Sequence, residues 1–342
     1  MKILVTGGSG YIGSHTVVEL QKQGFEVVII DNLSNSQIGV IDAITSITGI
    51  RPEFEQFDLI DRKQTADFFQ RHKDLKGVIH FAAFKAVGES VEKPLKYYRN
   101  NLVSLMNILE SMIENGIPNL VFSSSCTVYG QPDELPVSEK APIKKAESPY
   151  GNTKQISEEV IQDTINSSGV HAIALRYFNP IGAHETAKIG ELPLGVPNNL
   201  VPFITQTAIG IRQQLSVFGD DYNTPDGTAV RDYIHVVDLA LAHVVAVKRM
   251  IGEKMKKNFE VFNLGTGTGL SVLEVIQSFE RVSGEKLNYK IVGRRAGDVE
   301  KVWADPTFSN EELGWKSQKT VDEMTASAWK WENEFHKRNS IK

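Results

Sequence analysis

One short segment constrains this chain more than any other: Thr6-Gly7-Gly8-Ser9-Gly10-Tyr11-Ile12-Gly13. It follows an apolar run, Ile3 to Thr6, that reads as a β-strand, and it opens a helical stretch from Tyr11 to Gln23 that Gly24 closes. The segment satisfies Gly-x-x-Gly-x-x-Gly through Gly7, Gly10 and Gly13, and Gly-x-Gly-x-x-Gly through Gly8, Gly10 and Gly13. Glycine is needed there because the turn is tight, the backbone must approach a pyrophosphate closely, and helix and strand must pack together. Phosphates placed at such a turn meet free N–H groups and the positive end of the helix dipole. A second strand ends at Asp31, 18 residues past Gly13. A carboxylate at that distance accepts hydrogen bonds from ribose hydroxyls and repels a 2′-phosphate, and no arginine immediately follows it. The pattern therefore selects NAD over NADP. Asp58, ending a third strand, is placed either to reach the adenine or to cap its own loop.

The rest of the first half repeats the same alternation of short apolar runs and helical segments, the signature of an α/β fold with a doubly wound, Rossmann-type parallel sheet. Strands are expected at Ile3–Thr6, Val27–Ile30, Glu53–Phe57, Val78–Phe81, Leu120–Ser123 and Ile173–Arg176. Leu102, Leu105, Met106, Leu109, Met112 and Ile113 recur at helical spacing until Gly116 and Pro118 stop the segment. After Arg176 the texture becomes loop-rich, with Pro180, Pro193, Pro197, Pro202 and Pro225. The expected division is an NAD-binding part over 1–177, with a return segment near 231–265 (one strand, Glu260–Asn263), and a smaller α/β substrate-binding part over 178–342.

Composition excludes several classes. The formal charge of −5 is spread without long blocks of one sign, which argues against nucleic-acid and membrane partners. One cysteine, Cys126, forbids an internal disulfide, and no Cys/His spacing suits zinc. No metal is expected, and a cytoplasmic setting is. The first residues, Met1 to Thr6, are too briefly apolar for a signal peptide, and no run approaches the roughly 20 apolar residues of a membrane helix.

A second motif carries chemistry. Tyr150 and Lys154 stand at i and i+4 on one helix face, 27 residues beyond the fifth strand's end at Ser123. A free phenol titrates near pH 10 and is a poor base; a nearby ammonium and a cationic nicotinamide are expected to lower it into a useful range. The fifth strand runs into Ser123-Ser124-Ser125-Cys126-Thr127, where the carboxyl ends of strands line a ligand crevice. Ser125 is the serine expected to hydrogen-bond the reacting hydroxyl.

A glycine-rich first turn, a serine after the fifth strand and Tyr-x-x-x-Lys in one chain resemble the extended short-chain dehydrogenase/reductases. Phe81–Ser90, Ser123–Gly130, Leu175–His184, Pro197–Leu200 and Arg231–His235 narrow the resemblance to the UDP-glucose 4-epimerase family, over essentially the whole chain. The resemblance implies an NAD shell of Gly7, Gly10, Tyr11, Ile12, Gly13, Asp31, Asn32, Leu33, Asn35, Ser36, Asp58 and Leu59. It continues through Phe81, Ala82, Ala83, Phe84, Lys85, Asn100, Ser123, Tyr150, Lys154 and Phe178. It implies a UDP-sugar shell of Ser125, Tyr150, Phe178, Asn179, Asn199, Leu200, Ser216, Val217, Phe218, Arg231, Arg295, Asp298 and Val302. Guanidinium forks suit a pyrophosphate, although read alone Arg231 and Arg295 equally suit surface ion pairs with Asp232 or Asp298. The implied activity is an isomerase's: reversible inversion at C4 of UDP-glucose and UDP-galactose through a transient 4-keto sugar, in galactose and nucleotide-sugar metabolism. A homodimer is implied as well, although the apolar face of Asn101–Ile113 equally suits burial against the sheet.

The alternatives are a UDP-uronate epimerase, a dehydratase and a non-catalytic NAD-binding module. The 4,6-dehydratases of this superfamily place an Asp-Glu pair after the fifth strand's Ser/Thr; here Cys126-Thr127 follow Ser125. Intact Ser125, Tyr150 and Lys154 argue against a module without chemistry. Three departures from the family pattern stand out: Ala83-Phe84 for a common Gly-Leu, Cys126 for a common alanine, and Val302 for a bulky tyrosine of some members. The smaller Val302 is expected to admit N-acetylated UDP-sugars.

Overall fold

Successive residues of a strand face opposite ways, and in the first strand both directions are apolar and fully buried. Ile3 and Val5 join one core cluster, while Leu4 joins another on the opposite side. A strand apolar on both faces belongs in a sheet covered by helices above and below. The structure, a computed structural model describing residues 1–295 and 299–340, contains that sheet. In chain order its strands are β1 (Lys2–Thr6), β2 (Glu26–Ile30), β3 (Glu53–Glu55), β4 (Leu75–His80), β5 (Asn119–Ser125) and β6 (His171–Tyr177). Three short strands outside the sheet follow, β7 (Asn179–Ile181), β8 (Leu215–Phe218) and β9 (Val230–His235), before β10 (Phe259–Leu264) returns to it. The order is β10-β6-β5-β4-β1-β2-β3, and every pairing is parallel.

The helices are α1 (Tyr11–Lys22), α2 (Gly39–Thr48), α3 (Arg62–Arg71), α4 (Val87–Glu92), α5 (Pro94–Glu114) and α6 (Pro149–Ser167) in the first half. They continue with α7 (Leu200–Ala208), α8 (Val236–Ile251), α9 (Val272–Ser283) and α10 (Val321–Ser340). Val17, Val18 and Leu20 of α1, Ile41 and Ile44 of α2, and Leu239 of α8 cover one face of the sheet. Phe68 and Phe69 of α3, Leu105, Ile108, Leu109 and Met112 of α5, and Ile161 and Ile165 of α6 cover the other. Each such side chain contributes about 1.5–3 kcal/mol on leaving water. So α5 buries its main apolar stripe against the sheet and leaves Leu95, Met106 and Ile113 exposed.

The elements read from the sequence are present with small shifts. The third strand stops at Glu55 rather than Phe57, because an edge strand has one neighbour and Phe57 turns to pack its ring, tilted, against Phe68 with centroids 6.1 Å apart. The fourth stops at His80, releasing Phe81 into the loop beyond, where its ring lies 4.6 Å from that of His243. The smaller part holds a sheet ordered β11 (Gly269–Ser271), β9, β13 (Lys301–Val302), with β7 also on β9 and a separate pair of β8 with β12 (Tyr289–Val292). α7, α9 and α10 pack on it through Val201, Ile204, Val275, Ile276, Phe279 and Met324. Among the described residues, no helix is long and apolar enough to cross a membrane.

The strand order reverses between β1 and β4. In open α/β sheets ligands settle outside the carboxyl ends at that switch point.

Candidate active site

The loops after β1 and β4 meet at the switch point with no room to spare. A Cβ on Gly7, whose φ is +70°, would lie 2.9 Å from Ala82 N, and one on Gly13 would lie 2.2 Å from the Gly7 carbonyl oxygen. Only glycine allows this closeness. α1 starts after Gly10 with no side-chain cap, so its first-turn N–H groups remain available to an anion, as a pyrophosphate requires. Asp31 is buried at the end of β2. Its carboxylate accepts from Ser9 N (3.2 Å), Leu33 N (2.9 Å) and Ser36 Oγ (3.1 Å), which draws the Asn32–Ser36 loop, Asn35 included, towards the glycine turn. Asp58 accepts from Asn32 Nδ2 (3.0 Å) and Ile60 N (3.1 Å), with Leu59 buried beside it. Asp58 thus organises its own loop, one of the two roles expected of it.

The second motif lies on the neighbouring strand end. Ser148 accepts a hydrogen bond from Gly151 N (3.1 Å) and Pro149 takes the first helical position, a favourable start for α6. That start puts Tyr150 in the first turn and Lys154 one turn on, both buried. Lys154 Nζ donates to the Ser123 carbonyl (2.6 Å) and lies 4.8 Å from the Phe122 ring centroid. Burial pulls the lysine down to about 8, and Glu158, a further turn along, works in the opposite direction. At Tyr150 burial works against the lowering expected from Lys154 and a cationic nicotinamide. Burial raises the phenol well above its ordinary range, Tyr177 pushes it further, and a hydrogen bond with Ser125 only partly offsets them. A protein interior penalises a phenolate more than the sequence motif suggests. Asn100 precedes Asn101, whose amide spans Phe84 O (3.1 Å) and Thr153 Oγ1 (3.1 Å) and so pins the Phe81–Lys85 loop to α6.

The smaller part faces this crevice with the remaining residues. Phe178, Val302 and Ala304 form one small buried cluster with Val128 and Tyr129, against which Cys126 packs. Burial pushes the Cys126 thiol up to about 12, the inert thiol of an apolar niche. Val302 pairs with Arg231 across β13 and β9. Asn179 donates to the Asp232 carbonyl (3.1 Å), and the buried Asp232 carboxylate is occupied by Thr266 N (2.8 Å), Thr266 Oγ1 (2.7 Å), Gly267 N (3.1 Å) and Ala304 N (3.1 Å). Arg295 lies over Phe218 of β8 at 5.6 Å, beside Ser216 and Val217. Asn199 and Leu200 begin α7. Asp298 lies outside the described residues.

Several residues at the site carried no signal in the sequence reading. Tyr177, the last residue of β6, shares a 2.5 Å hydrogen bond with Ser123 Oγ. Glu158 receives Ser124 Oγ (2.5 Å) and both Nε (2.9 Å) and Nη2 (2.5 Å) of Arg176, whose Nη1 donates to the Tyr129 hydroxyl (2.9 Å). Tyr129 in turn donates to Asn263 Oδ1 (2.7 Å), so a buried polar layer braces the floor beneath Lys154. A strand-end position was the only available clue to Tyr177, and helical spacing from Lys154 the only one to Glu158.

Known proteins agree with this architecture. A family profile described as GDP-mannose 4,6 dehydratase matches residues 4–328. The UDP-glucose 4-epimerase of Mus musculus is 49% identical over 340 residues, covering 97% of each chain. The crystal structure of UDP-glucose-4-epimerase from Stenotrophomonas maltophila, with bound NAD and formylated UDP-arabinopyranose, superposes with a TM-score of 0.95 at 47% identity, covering 99% of each chain. The UDP-Glc/GlcNAc 4-epimerase of Campylobacter jejuni gives a TM-score of 0.83 at 36% identity, covering 97% of this chain and 99% of its own. With this likeness running from the glycine turn through the smaller part, the chain belongs to the UDP-glucose 4-epimerase family of extended short-chain dehydrogenase/reductases.

Proposed function

We propose that this chain interconverts UDP-glucose and UDP-galactose by oxidising and re-reducing C4 of the sugar, with NAD held in the crevice between β1 and β4. The observation that carries the reading is the convergence of Ser125, Tyr150 and Lys154 at the carboxyl end of β5, the strand next to β4, which with β1 flanks the point where the order reverses. NAD, when bound, would be held by the glycine turn and Asp31 and would supply the reversible two-electron acceptance of a hydride from C4. Tyr150 takes the proton of the 4-hydroxyl and returns it, with Ser125 within hydrogen-bonding reach of the phenol. Burial keeps the phenol protonated in the resting site, so the base forms only when positive charge is brought beside it. The Lys154 ammonium, one turn along α6 and anchored by Ser123 O, does not by itself offset that burial.

Arg231 and Arg295 are assigned to the diphosphate, Phe218 to the uracil ring, and Asn179, Asn199 and Leu200 to the sugar and its linkage. Asp31 is assigned to the adenosine ribose. Cys126-Thr127, in the turn after β5, offer no carboxylate for dehydration chemistry. We further assign Val302 to the space beside the C2 substituent, which extends the substrates to UDP-GlcNAc and UDP-GalNAc. The exposed Leu95, Met106 and Ile113 of α5 suit burial in a homodimer, for which sedimentation is the check. A single cysteine and no membrane-crossing helix among the described residues suit the cytoplasm.

The test is turnover of UDP-galactose to UDP-glucose by purified protein with no added NAD. Activity is expected, and Tyr150→Phe should reduce it by about 10²–10⁴-fold. Wild-type protein that yields a dehydrated or unchanged sugar would defeat the proposal, as would an undiminished Tyr150→Phe.

A further inference from the structure

The segment 182–191 runs from the cofactor side of the crevice to the loop before α7. At its start the Gly182 carbonyl accepts from the Tyr11 hydroxyl (2.6 Å), which ties it to the first turn of α1. At its end Gly190 bridges back to Ala183 and lies so close under Trp331 that a Cβ there would be 2.4 Å from the indole. Trp331 Nε1 donates to the Glu191 carbonyl (3.0 Å), so the backbone of Glu191 is fixed from both sides. Its side chain, 12% exposed, uses one oxygen, Oε1, for two partners from different loops. Lys85 Nζ, from the loop after β4, lies at 3.3 Å, and Asn199 Nδ2, from the loop before α7, at 2.6 Å.

Asn199 supplies a second, independent sign. It occupies the N-cap of α7, where asparagine ordinarily turns its side chain onto the helix's first N–H groups. Here it makes no cap hydrogen bond and gives its amide to Glu191 instead. The sequence has placed a capping residue and then withheld it from capping. The opening amides of α7 therefore have no side-chain cap. Lys85, held by the same carboxylate, keeps its ammonium 5.9 Å from the Tyr11 ring centroid, beside the cofactor turn.

We propose that Glu191 is a positioning residue that links the loop gripping the cofactor to the loop gripping the nucleotide sugar. Through one oxygen it aims the Lys85 ammonium towards the NAD side and the Asn199 amide towards the UDP-sugar side, so losing it loosens both grips. The inference rests on the functional reading above for the identity of the two ligands.

Two substitutions separate the halves of the link. Glu191→Gln keeps an acceptor for Asn199 and removes the charge that holds Lys85; Glu191→Ala removes both. Protein carrying its cofactor is dialysed and retained NAD measured against time, alongside KM and kcat for UDP-galactose at saturating NAD and UDP affinity by calorimetry. In Glu191→Gln, NAD should leave about tenfold faster while KM and UDP affinity stay within about twofold of wild type. In Glu191→Ala, NAD should leave equally fast, KM should rise and UDP affinity fall by about tenfold, and kcat should stay within about threefold. A residue that merely supports the fold would lower the melting temperature in both variants without that split. Unchanged NAD loss, or a fall in kcat alone, overturns the proposal. If wild-type protein does not epimerise UDP-galactose, the functional reading fails, and the NAD-loss and UDP-affinity arms still decide the role of Glu191.

Discussion

The two sides of the crevice are built from different materials. The side proposed for the cofactor is mostly backbone: Gly7 and Gly13, where an added Cβ would lie 2.9 and 2.2 Å from main-chain atoms, an uncapped helix start, and a buried Asp31 already fixed by three donors. On the smaller side it is side chains on short strands, Arg231 and Val302 on β9 and the two-residue β13, and Phe218, 40% exposed, at the end of β8. A rigid backbone cradle loses little entropy on binding and suits a ligand that stays. Partly exposed side chains such as Arg231 and Phe218 suit one that arrives, turns and leaves. The contrast fits a reaction in which the cofactor is regenerated and only the sugar exchanges.

The largest effect should come from breaking the backbone side. Gly13→Ala places a methyl 2.2 Å from Gly7 O and 2.8 Å from Gly8 Cα, and neither is the end of a flexible side chain. The turn must open, at an overpacking cost of about 1–3 kcal/mol, so NAD retention and activity should fall roughly 10- to 100-fold. UDP affinity, measured by calorimetry, should be unchanged, because the atoms a methyl on Gly13 would meet, Gly7 O and Gly8 Cα, belong to the glycine turn. Full NAD content in purified Gly13→Ala would break the contrast.

On the side-chain half the change is one of selectivity. Val302 is buried with Phe178 and Ala304 and lies across from Arg231. Val302→Tyr adds a ring to that niche and should lower turnover of UDP-GalNAc by about tenfold or more, with UDP-galactose turnover within about threefold serving as the control for folding. Equal losses on both sugars would remove Val302 from the selectivity argument.

What the sequence disclosed follows the same division. The glycine turn, Asp31 and the Tyr150–Lys154 pair were legible because backbone geometry and one turn of helix fix spacing within a few residues. The sheet was legible because strands buried on both faces leave continuous apolar runs. Glu158 with Arg176 and Glu191 with Lys85 were not, because each is a partnership between distant elements. No local spacing announces that an asparagine such as Asn199 will be drawn away from its own helix. The burial that opposes ionisation of Tyr150 was not legible for a related reason: a motif shows which charge is nearby, while desolvation depends on everything packed around it.

The smallest expected effect probes a cost hidden in the cofactor side. Lys154 and Arg176 are both buried near the end of β5, but Arg176 is paired bidentately with Glu158, whereas Lys154 has a carbonyl and a ring face. Burial holds Lys154 near 8 in the folded chain, below the 10.5 of an exposed lysine. Below about pH 8 both states carry the proton, and the folded state bears the full penalty of a buried charge. As pH rises through 8 the folded state releases the proton while the unfolded chain still holds it, so stability increases with pH in that window. Between about pH 7 and pH 9 the wild type, freed of cofactor, should gain on the order of 1 kcal/mol relative to Lys154→Met, read from urea unfolding at each pH. Arg176 stays charged throughout and adds no slope of its own. If the two proteins show parallel pH dependence, Lys154 rests at an ordinary lysine value in the empty site, and the expected charge beside Tyr150 is there without penalty.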